Sequence, residues 1–390
     1  MTDIPISRSL SLGTPFSSDP GALQRFFGRT EGLLPLWLAE PYIPLAPSVI
    51  QAVQDRAAEA WLGYESRPAD VLDAFWSWMS RRHHGVKDGL RAMASPSVGT
   101  SIAVLIDLYS EAGDGGILQP PVYTGFKPLV RGTRRTPVRN PLCLRDGRYG
   151  MDIDGLRALA ANPKNSFMLL CNPHNPVGRA WTREELRQVA EVCAEGGVFV
   201  LADEIHGDLV LPPHQFTPFA KAAEGTDVKW ASTHGPIKTF GVAGIADTLL
   251  VTGDAEIAVA FQAVCQRLHL NRNNVFSLAA TRAGYRDGDA WLDDFLQRIR
   301  ENAERLEAGL PGGVALMPIE ATYLAWLDFR ELGMEAPELA SWLVSEAGLA
   351  LSPGHWFGRE GAGFARMTIA VEEHVLVDAI GRLRSAVDSL

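Results

Sequence analysis

The stretch SFMLLCNPHNPVGRAWTREELRQVAEVCAEGGVFVLADEI, residues 166–205, decides the fold, because two apolar segments flank a helical one. SFMLLC and VFVLA are nearly free of polar residues, as strands buried on both faces are. Between them, Thr182 and Glu185 form a capping box, so a helix is predicted to begin there and to end at the glycine pair before VFVLA. A strand, a helix and a second strand in this order predict a parallel pair.

The same alternation continues on both sides of this stretch. A helix is predicted to open near Thr100 and to lead into the short strand ILQP, and TLLVTG, residues 248–253, predicts a further strand. The fold class is therefore α/β, a mostly parallel sheet sandwiched by helices in a large domain. A long amphipathic helix over 290–310 and the mixed elements after it predict a smaller α+β domain. We predict a large domain at 45–285 and a small one from 1–44 and 286–390.

Composition limits the possible partners. The 390 residues are 46% hydrophobic and 21% charged, which is ordinary for a globular protein, and the net charge of −10 disfavours nucleic acid and anionic membranes. The four cysteines are scattered without a CxxC motif, which indicates free thiols in a reducing compartment. The first residues lack the apolar core of a signal peptide, and no window of about 18 apolar residues is free of charge. We expect a cytoplasmic protein without membrane contact.

Two residues in this pattern are suited to chemistry. Asp203 directly follows a buried strand, where a carboxylate needs a partner, and Lys238 lies among small and apolar residues in GPIKTFGVAG. Taken singly, the acid could cap a helix or form a salt bridge, and the lysine could lie in an exposed loop. Taken together in a parallel-sheet pattern, they favour pyridoxal phosphate, which needs a lysine for its aldehyde and an acid for its ring nitrogen.

The remaining needs of that cofactor also have candidates. Its phosphate needs backbone amides at a helix start, which Gly99, Thr100 and Ser101 supply. Tyr123 at a strand end could stack on the ring, and Asn175 in a proline-rich turn could donate to the ring oxygen.

An amino-acid substrate needs a guanidinium for its carboxylate, and Arg366 at the start of a predicted strand is the candidate, with a surface salt bridge as the alternative. The histidines, including His83 and His84, have no HExxH or similar spacing, so no metal site is predicted.

The sequence resembles the class I/II aminotransferase superfamily of pyridoxal phosphate enzymes, fold type I, and within it the MalY/PatB-type cystathionine β-lyase branch of C–S lyases. The likeness extends over nearly the whole chain, and its most specific motifs are DEIHGDL, KTFGVAG and TYLAWLD. Other shared motifs are GYESRP, GDGGILQPPVYTGF, NPHNPVGRAWTREEL, LSPGHWFG and GFARMTIA.

The resemblance implies a role for each matching residue. Lys238 would bind the cofactor aldehyde and transfer the proton, Asp203 would pair with the ring nitrogen, and Tyr123 would stack on the ring. Asn175 and His206 would approach the ring oxygen, the histidine replacing the usual tyrosine.

The phosphate and the substrate have implied partners as well. Thr100 and Ser101 would bind phosphate through the backbone, and Tyr64 would reach the phosphate of the neighbouring subunit. The resemblance therefore implies a homodimer with shared active sites. Arg366 would hold the substrate carboxylate.

The chain departs from the family pattern near the predicted site. Gly235 and Ile237 replace the usual phosphate-binding serine and the serine or threonine before the lysine, and Ala246 replaces an arginine that many relatives have. In the segment that lines the substrate pocket, Glu40 and Pro41 replace the usual residues. Glu40 is therefore a candidate substrate contact in an altered pocket.

The resemblance implies β-elimination from a cysteine S-conjugate, which yields a thiol, pyruvate and ammonia. Transamination is an alternative, because it starts from the same proton removal. A specialised decarboxylating or oxidative reaction on a cysteine thioether in natural-product (antibiotic) biosynthesis is another, motivated by the altered pocket. A regulator that binds pyridoxal phosphate is the alternative outside catalysis.

Overall fold

A computed structural model of the chain describes residues 14–84, 88–245 and 247–390. The strands are β1 Leu34–Pro35, β2 Arg91–Ser95, β3 Gly115–Leu118, β4 Thr136–Arg139, β5 Cys143–Arg145, β6 Arg148–Gly150, β7 Asn165–Cys171, β8 Phe199–Asp203, β9 Trp230–His234, β10 Thr248–Thr252, β11 Ala315–Leu316, β12 Leu324–Asp328, β13 Leu349–Ala350, β14 Ser352–Pro353 and β15 Phe364–Thr368. The α-helices are α1 Pro20–Phe27, α2 Pro47–Ala58, α3 Ala69–His83, α4 Val98–Tyr109, α5 Phe126–Gly132, α6 Ile153–Ala160, α7 Arg183–Gly196, α8 Phe219–Ala222, α9 Pro236–Thr239, α10 Ala255–Arg267, α11 Val275–Asp287, α12 Asp289–Gly309, α13 Ala336–Ser345 and α14 Glu373–Asp388.

The largest sheet has seven strands in the order β2-β10-β9-β8-β7-β3-β4 within the described residues. Neighbouring strands from β9 to β4 in this order are parallel, whereas β10 is antiparallel to both β9 and β2. All five residues of β8 are buried, as expected for a strand covered on both faces. The predicted α/β architecture with a mostly parallel sheet is therefore confirmed.

The central strands end at the same edge of this sheet. Cys171 at the end of β7 pairs with Asp203 at the end of β8, and Asp203 pairs with Thr233 near the end of β9. Because these strands are parallel, the loops that follow them emerge side by side. Ligands of such sheets bind at this carboxyl edge.

Helix α7 begins and ends where the sequence predicts. Thr182 accepts from the amide of Glu185, and the Glu185 side chain accepts from the amide of Thr182, so the predicted capping box is present. Gly197 ends the helix in the left-handed conformation, at φ 67°, which glycine adopts without steric cost.

The C-terminal part forms a smaller antiparallel sheet in the order β11-β12-β15-β14. Arg366, in the centre of β15, lies opposite Trp326 on β12 and Ser352 on β14. Strand β1 pairs in parallel with β13, which attaches the N-terminal part to this region. The predicted long helix is α12, which follows α11 after a single residue, Gly288.

A single apolar cluster contains side chains from both predicted domains, among them Phe75 and Phe240 from one and Phe295 and Tyr323 from the other. The division into a domain of 45–285 and a domain of 1–44 with 286–390 stays a prediction, and residues 1–13 of it lie outside the described residues. None of the helices within the described ranges is long and apolar enough to cross a membrane.

Candidate active site

Lys238 lies in the short helix α9, directly after strand β9. Its Nζ donates a hydrogen bond to the carbonyl oxygen of Ala39 at 2.7 Å. No carboxylate in the part of the chain that the structure describes lies within 4.0 Å of this nitrogen. Burial, supported by the charge of Arg366 and opposed by Glu40 and Asp203, lowers the pKa of Lys238 to about 8. About a tenth of the amine is therefore neutral, and nucleophilic, at pH 7, far more than for an ordinary lysine.

Asp203 is the last residue of β8 and is 6% exposed. One of its oxygens, Oδ1, accepts from the amide of Ile205 at 3.3 Å and from the hydroxyl of Thr233 at 3.2 Å. Burial raises the pKa of Asp203 to about 6, against the effect of these two bonds. Because no cation among the described residues lies within 4.0 Å, the salt-bridge alternative finds no partner. Oδ2 is available to a ligand.

Arg366 is 6% exposed and is not a surface residue. Its Nη1 donates to Oδ1 of Asn175 at 3.0 Å, and its Nη2 donates to the carbonyl of Trp37 at 2.7 Å and to the hydroxyl of Ser352 at 3.3 Å. Its Nε is buried and finds no acceptor in the described chain, and no carboxylate there lies within 4.0 Å. A buried guanidinium without an acid is suited to the carboxylate of a ligand.

Asn175 and His206 flank these groups. Asn175 is 3% exposed and touches Arg366 through the hydrogen bond given above, so two of the predicted site residues are in contact. His206 is 4% exposed, and its ring centroid lies 6.2 Å from that of Tyr323. Burial, with the charges of Lys238 and Arg366, holds the pKa of His206 well below its usual range, so the ring is neutral. Its Nδ1 is buried without a partner among the described residues.

The start of helix α4 presents backbone amides. Ser97, which the sequence analysis did not single out, caps this helix: its Oγ accepts from the amide of Thr100 at 3.0 Å. The amide of Ser101 is used by the carbonyl of Ser97 at 3.1 Å. Since the first amides of a helix lack intrahelical acceptors, those of Val98 and Gly99 are the ones open to a phosphate. The Ser101 hydroxyl is buried without a partner in the described chain.

The segment over residues 36–42, called the N-terminal strap here, crosses the site and supplies backbone oxygens. Its Ala39 carbonyl accepts from Lys238, and also from the hydroxyl of Tyr323 at 3.0 Å. Its Glu40 carbonyl accepts from the hydroxyl of Thr368 at 3.3 Å. The sequence analysis found the altered residues of this strap but missed its carbonyl groups, because a carbonyl has no sequence signature.

Two tyrosines assigned to the site are exposed in the single chain. Tyr123 is 42% exposed, and its ring is perpendicular to that of Phe126 at 5.5 Å between centroids, so part of its surface remains uncovered. Tyr64 is 86% exposed, and its ring contacts the guanidinium of Arg272, which lies 5.4 Å from the ring centroid. Within the described residues, no hydrogen bond or ring contact joins Tyr64 to Lys238, Asp203 or Arg366.

The departures from the family pattern are compatible with a cofactor. Gly235 has an extended backbone that any residue can adopt, and a Cβ there would lie 3.3 Å from the terminal methyl of Ile205. Ile237 is half-buried and packs on the apolar core. The ring of Pro41 packs closely against Gly241. A Cβ added at Gly241 would lie 2.8 Å from the Pro41 ring. Ala246 lies outside the described residues.

Lys238, Asp203 and Arg366 are thus three buried or half-buried charged groups without ion-pair partners in the described chain. A protein keeps such groups where a ligand supplies the missing charges. The amine suits an aldehyde, the free acid oxygen suits a protonated ring nitrogen, and the α4 amides suit a phosphate. The unpaired Nδ1 of His206 and Nε of Arg366 add polar atoms for the same ligand. The residues present fit pyridoxal phosphate with an amino-acid substrate.

Solved structures support the assignment to the pyridoxal phosphate enzymes. The chain is similar to a PLP-bound putative aminotransferase from Clostridium difficile 630, with a TM-score of 0.90 and 32% identity over 95% of this chain and 96% of that one. It is also similar to a PLP-bound C-S lyase from Staphylococcus hominis, with a TM-score of 0.86 and 25% identity over 97% of this chain and 96% of that one. The fold is therefore fold type I of pyridoxal phosphate enzymes, as the sequence predicted, and pyridoxal phosphate is the cofactor.

The family model for aminotransferase class I and II matches residues 38–383. The chain belongs to this family. Among curated relatives, it is 34% identical over 363 residues to cystathionine beta-lyase PatB of Bacillus subtilis (strain 168), an alignment that covers 92% of this chain and 94% of the relative. The resemblance to the C–S lyase branch is confirmed.

Proposed function

We propose that this protein is a C–S lyase that eliminates a thiol from a cysteine S-conjugate. The main observation is the set of three charged groups that have no ion-pair partner among the described residues, Lys238, Asp203 and Arg366. They match a pyridine ring with an aldehyde on one side and a substrate carboxylate on the other. PatB of Bacillus subtilis and the C-S lyase of Staphylococcus hominis, by their names, support the elimination chemistry.

Pyridoxal phosphate, when bound, supplies an electron sink for negative charge at the substrate Cα. Asp203 would keep the ring nitrogen protonated through its free Oδ2. The α4 amides would bind the phosphate, and Tyr123 would cover one face of the ring. Asn175 and His206 would lie at the ring oxygen, the histidine as a neutral group.

Lys238 is the group we assign to the proton transfer. Its pKa near 8 leaves enough neutral amine to accept the proton from Cα, and the Ala39 carbonyl orients Nζ. Loss of the Cα proton lets the Cβ–S bond break, and its electron pair leaves with sulfur, which takes up a proton. With one water consumed, the three-carbon remainder ends as pyruvate and ammonia.

Arg366 would position the substrate for this step. A substrate carboxylate would accept two parallel bonds from its guanidinium, while Asn175 and Trp37 hold the side chain in place. Glu40 on the N-terminal strap lies close enough to raise the pKa of Lys238, so it faces the same space. We assign Glu40 to the substrate side of the site, where it would contact the sulfur-linked substituent.

The dimer is part of the proposal. Tyr64 is too exposed to serve its own site, and a homodimer would bring it to the phosphate of the other subunit. The exposed Trp61 and Leu62, at 54% and 55%, support a contact between copies at this place. We also propose a cytoplasmic location, which the four free cysteines support.

The reaction is tested by product analysis on a panel of cysteine thioethers that includes cystathionine. We expect pyruvate and thiol in equal amounts, with none from Lys238→Ala and normal amounts from Lys229→Ala, whose lysine is exposed. Transamination is the second candidate, which the putative aminotransferase of Clostridium difficile 630 favours. Amino transfer to a keto acid without release of thiol would contradict the elimination.

A further inference from the structure

Asp208 is a largely buried acid that the proposed reaction does not use. Its side chain is 10% exposed. Oδ1 accepts from Nε1 of Trp78 at 2.7 Å and from Nε2 of His83 at 2.6 Å, and Oδ2 accepts from the hydroxyl of Thr239 at 2.7 Å. Three side-chain donors on one carboxylate form a strong and specific junction.

This junction connects the elements that carry the reactive groups. Asp208 follows Asp203 by five residues, so it belongs to the loop that leaves β8. Thr239 follows Lys238 directly in helix α9, and the two other donors are in helix α3. One carboxylate therefore joins the loop of the ring-nitrogen acid, the helix of the lysine and a third helix behind both.

Helix α9 needs an external anchor. It has only four residues, and no side chain caps its start, so its own hydrogen bonds give it little stability. Phe240, which follows it, is fully buried, with its ring 5.7 Å from that of Trp78. Packing of Ile237 and Phe240 holds the helix against the core, and the bond from Thr239 to Asp208 adds a directional restraint on its rotation, next to Lys238.

Asp208 is charged in this setting. Burial would raise the pKa of its carboxyl, but the hydrogen bonds from His83, Thr239 and Trp78, with the charge of His83, lower it below its usual range. A carboxylate with three donors holds each of them more tightly than a neutral acceptor would.

We propose that Asp208 is a positioning residue that, through Thr239, fixes the direction of Lys238 relative to Asp203. This inference rests on the proposed role of Lys238 but not on which reaction follows. A small rotation of α9 would move Nζ away from the substrate Cα, and a misplacement of about 1 Å can cost about 100-fold in rate.

The test compares Thr239→Val, which keeps the shape and removes the hydroxyl, with Thr239→Ser, which keeps the hydroxyl. The matched control is Thr252→Val. Thr252 is a buried threonine that donates to the carbonyl of Trp230 at 2.8 Å, at the opposite end of the sheet. The measurements on the holoenzyme are kcat, KM, the melting temperature and the pH midpoint of the visible absorption change of bound cofactor.

We expect Thr239→Val to lower kcat about tenfold with little change in KM, and to shift the absorption midpoint. Thr239→Ser should restore both. Thr252→Val should lower the melting temperature as much as Thr239→Val does, because each loses one buried hydrogen bond. It should leave kcat and the absorption midpoint unchanged. Asp208→Asn, if it folds, should resemble Thr239→Val.

A Thr239→Val enzyme with a lower melting temperature but a normal kcat and midpoint would overturn the proposal. The absorption midpoint needs no substrate, so it tests the positioning role even if the wild-type enzyme releases no thiol from any thioether. Absence of thiol from the wild type would instead overturn the proposed function.

Discussion

Lys238, Asp203 and Arg366 illustrate the conflict between stability and function at the scale of single residues. Each is held in a low-dielectric position without a partner of opposite charge in the described chain, which disfavours its charged form. Under the proposed function, the bound cofactor and, during turnover, the substrate supply the missing charges. The cofactor-free protein should therefore be less stable than a variant in which one of these charges is removed.

We expect Asp203→Asn to stabilise the cofactor-free protein at pH 8. The folded-state pKa of Asp203 is raised from 3.8 to about 6, so the folded protein favours the protonated form. The stability that the Asp203 carboxyl contributes to the folded protein is fully present below the unfolded-state pKa. This stability is lost as the pH rises through the folded-state pKa. The expected gain of Asp203→Asn is about 3 kcal/mol above pH 7 and close to zero below pH 4. Urea unfolding of both cofactor-free proteins across this pH range measures it.

A stability difference that stays constant with pH would contradict this expectation. The same variant should bind pyridoxal phosphate more weakly, because an amide cannot hold the protonated ring nitrogen as a carboxylate does.

At this scale, the sequence reveals side chains with distinctive chemistry and hides backbone groups. Lys238 and Asp203 could be singled out because an amine and an acid at strand ends are unusual, and their roles in binding the cofactor stay predictions. The Ala39 carbonyl could not, because it comes from a residue 199 positions before Lys238 and any residue has a carbonyl. Ser97 could have been predicted as a helix cap, since serine three residues before Thr100 is a common start signal.

Among the elements, those with local signals were predicted and those held by tertiary contacts were not. Helix α7 has a capping box and a terminal glycine, and both appear in the structure. Helix α9 has four residues and no side-chain cap, so nothing in the local sequence indicates it. The element that presents Lys238, the lysine proposed to react, thus depends on contacts with the rest of the fold for its geometry.

We expect Thr182→Ala to lower the free energy of unfolding by about 1 kcal/mol, because it removes the side chain that caps α7. Thr182→Ser keeps the capping hydroxyl and should be close to the wild type. Neither variant should change kcat, since Thr182 is exposed and its hydroxyl bonds to Glu185 of the same capping box, not to a residue proposed for the site. Denaturant unfolding and thiol-release assays check both parts, and a loss of kcat in Thr182→Ala without loss of stability would count against this assignment.

For the whole molecule, the exposure of Tyr64 supports the proposed homodimer. A phenol that is 86% exposed contributes little to its own chain, whereas in a twofold dimer it can complete the site of the other subunit. The sequence could predict the dimer only through the family resemblance, because the residues at an interface resemble other exposed residues until the partner is present.

Mixed dimers test this arrangement. We expect Tyr64→Phe to weaken cofactor binding, so that this variant is inactive at a cofactor concentration that still saturates the wild type, and we expect Lys238→Ala to abolish activity. In a hybrid of the two, one site has both Lys238 and the Tyr64 of the other subunit, so unfolding and refolding an equal mixture should restore about a quarter of wild-type activity. If the activity of the refolded mixture equals only the summed activities of the two variants refolded separately, Tyr64 does not act across the interface.

The central claim is that the cofactor is bound covalently through Lys238. Borohydride reduction of the holoenzyme, followed by proteolysis and mass mapping, tests it most directly. The account predicts a phosphopyridoxyl group on the peptide that contains Lys238, its loss in Lys238→Ala and its retention in the control Lys229→Ala. A modified peptide with a different lysine, or an unchanged adduct in Lys238→Ala, would contradict it.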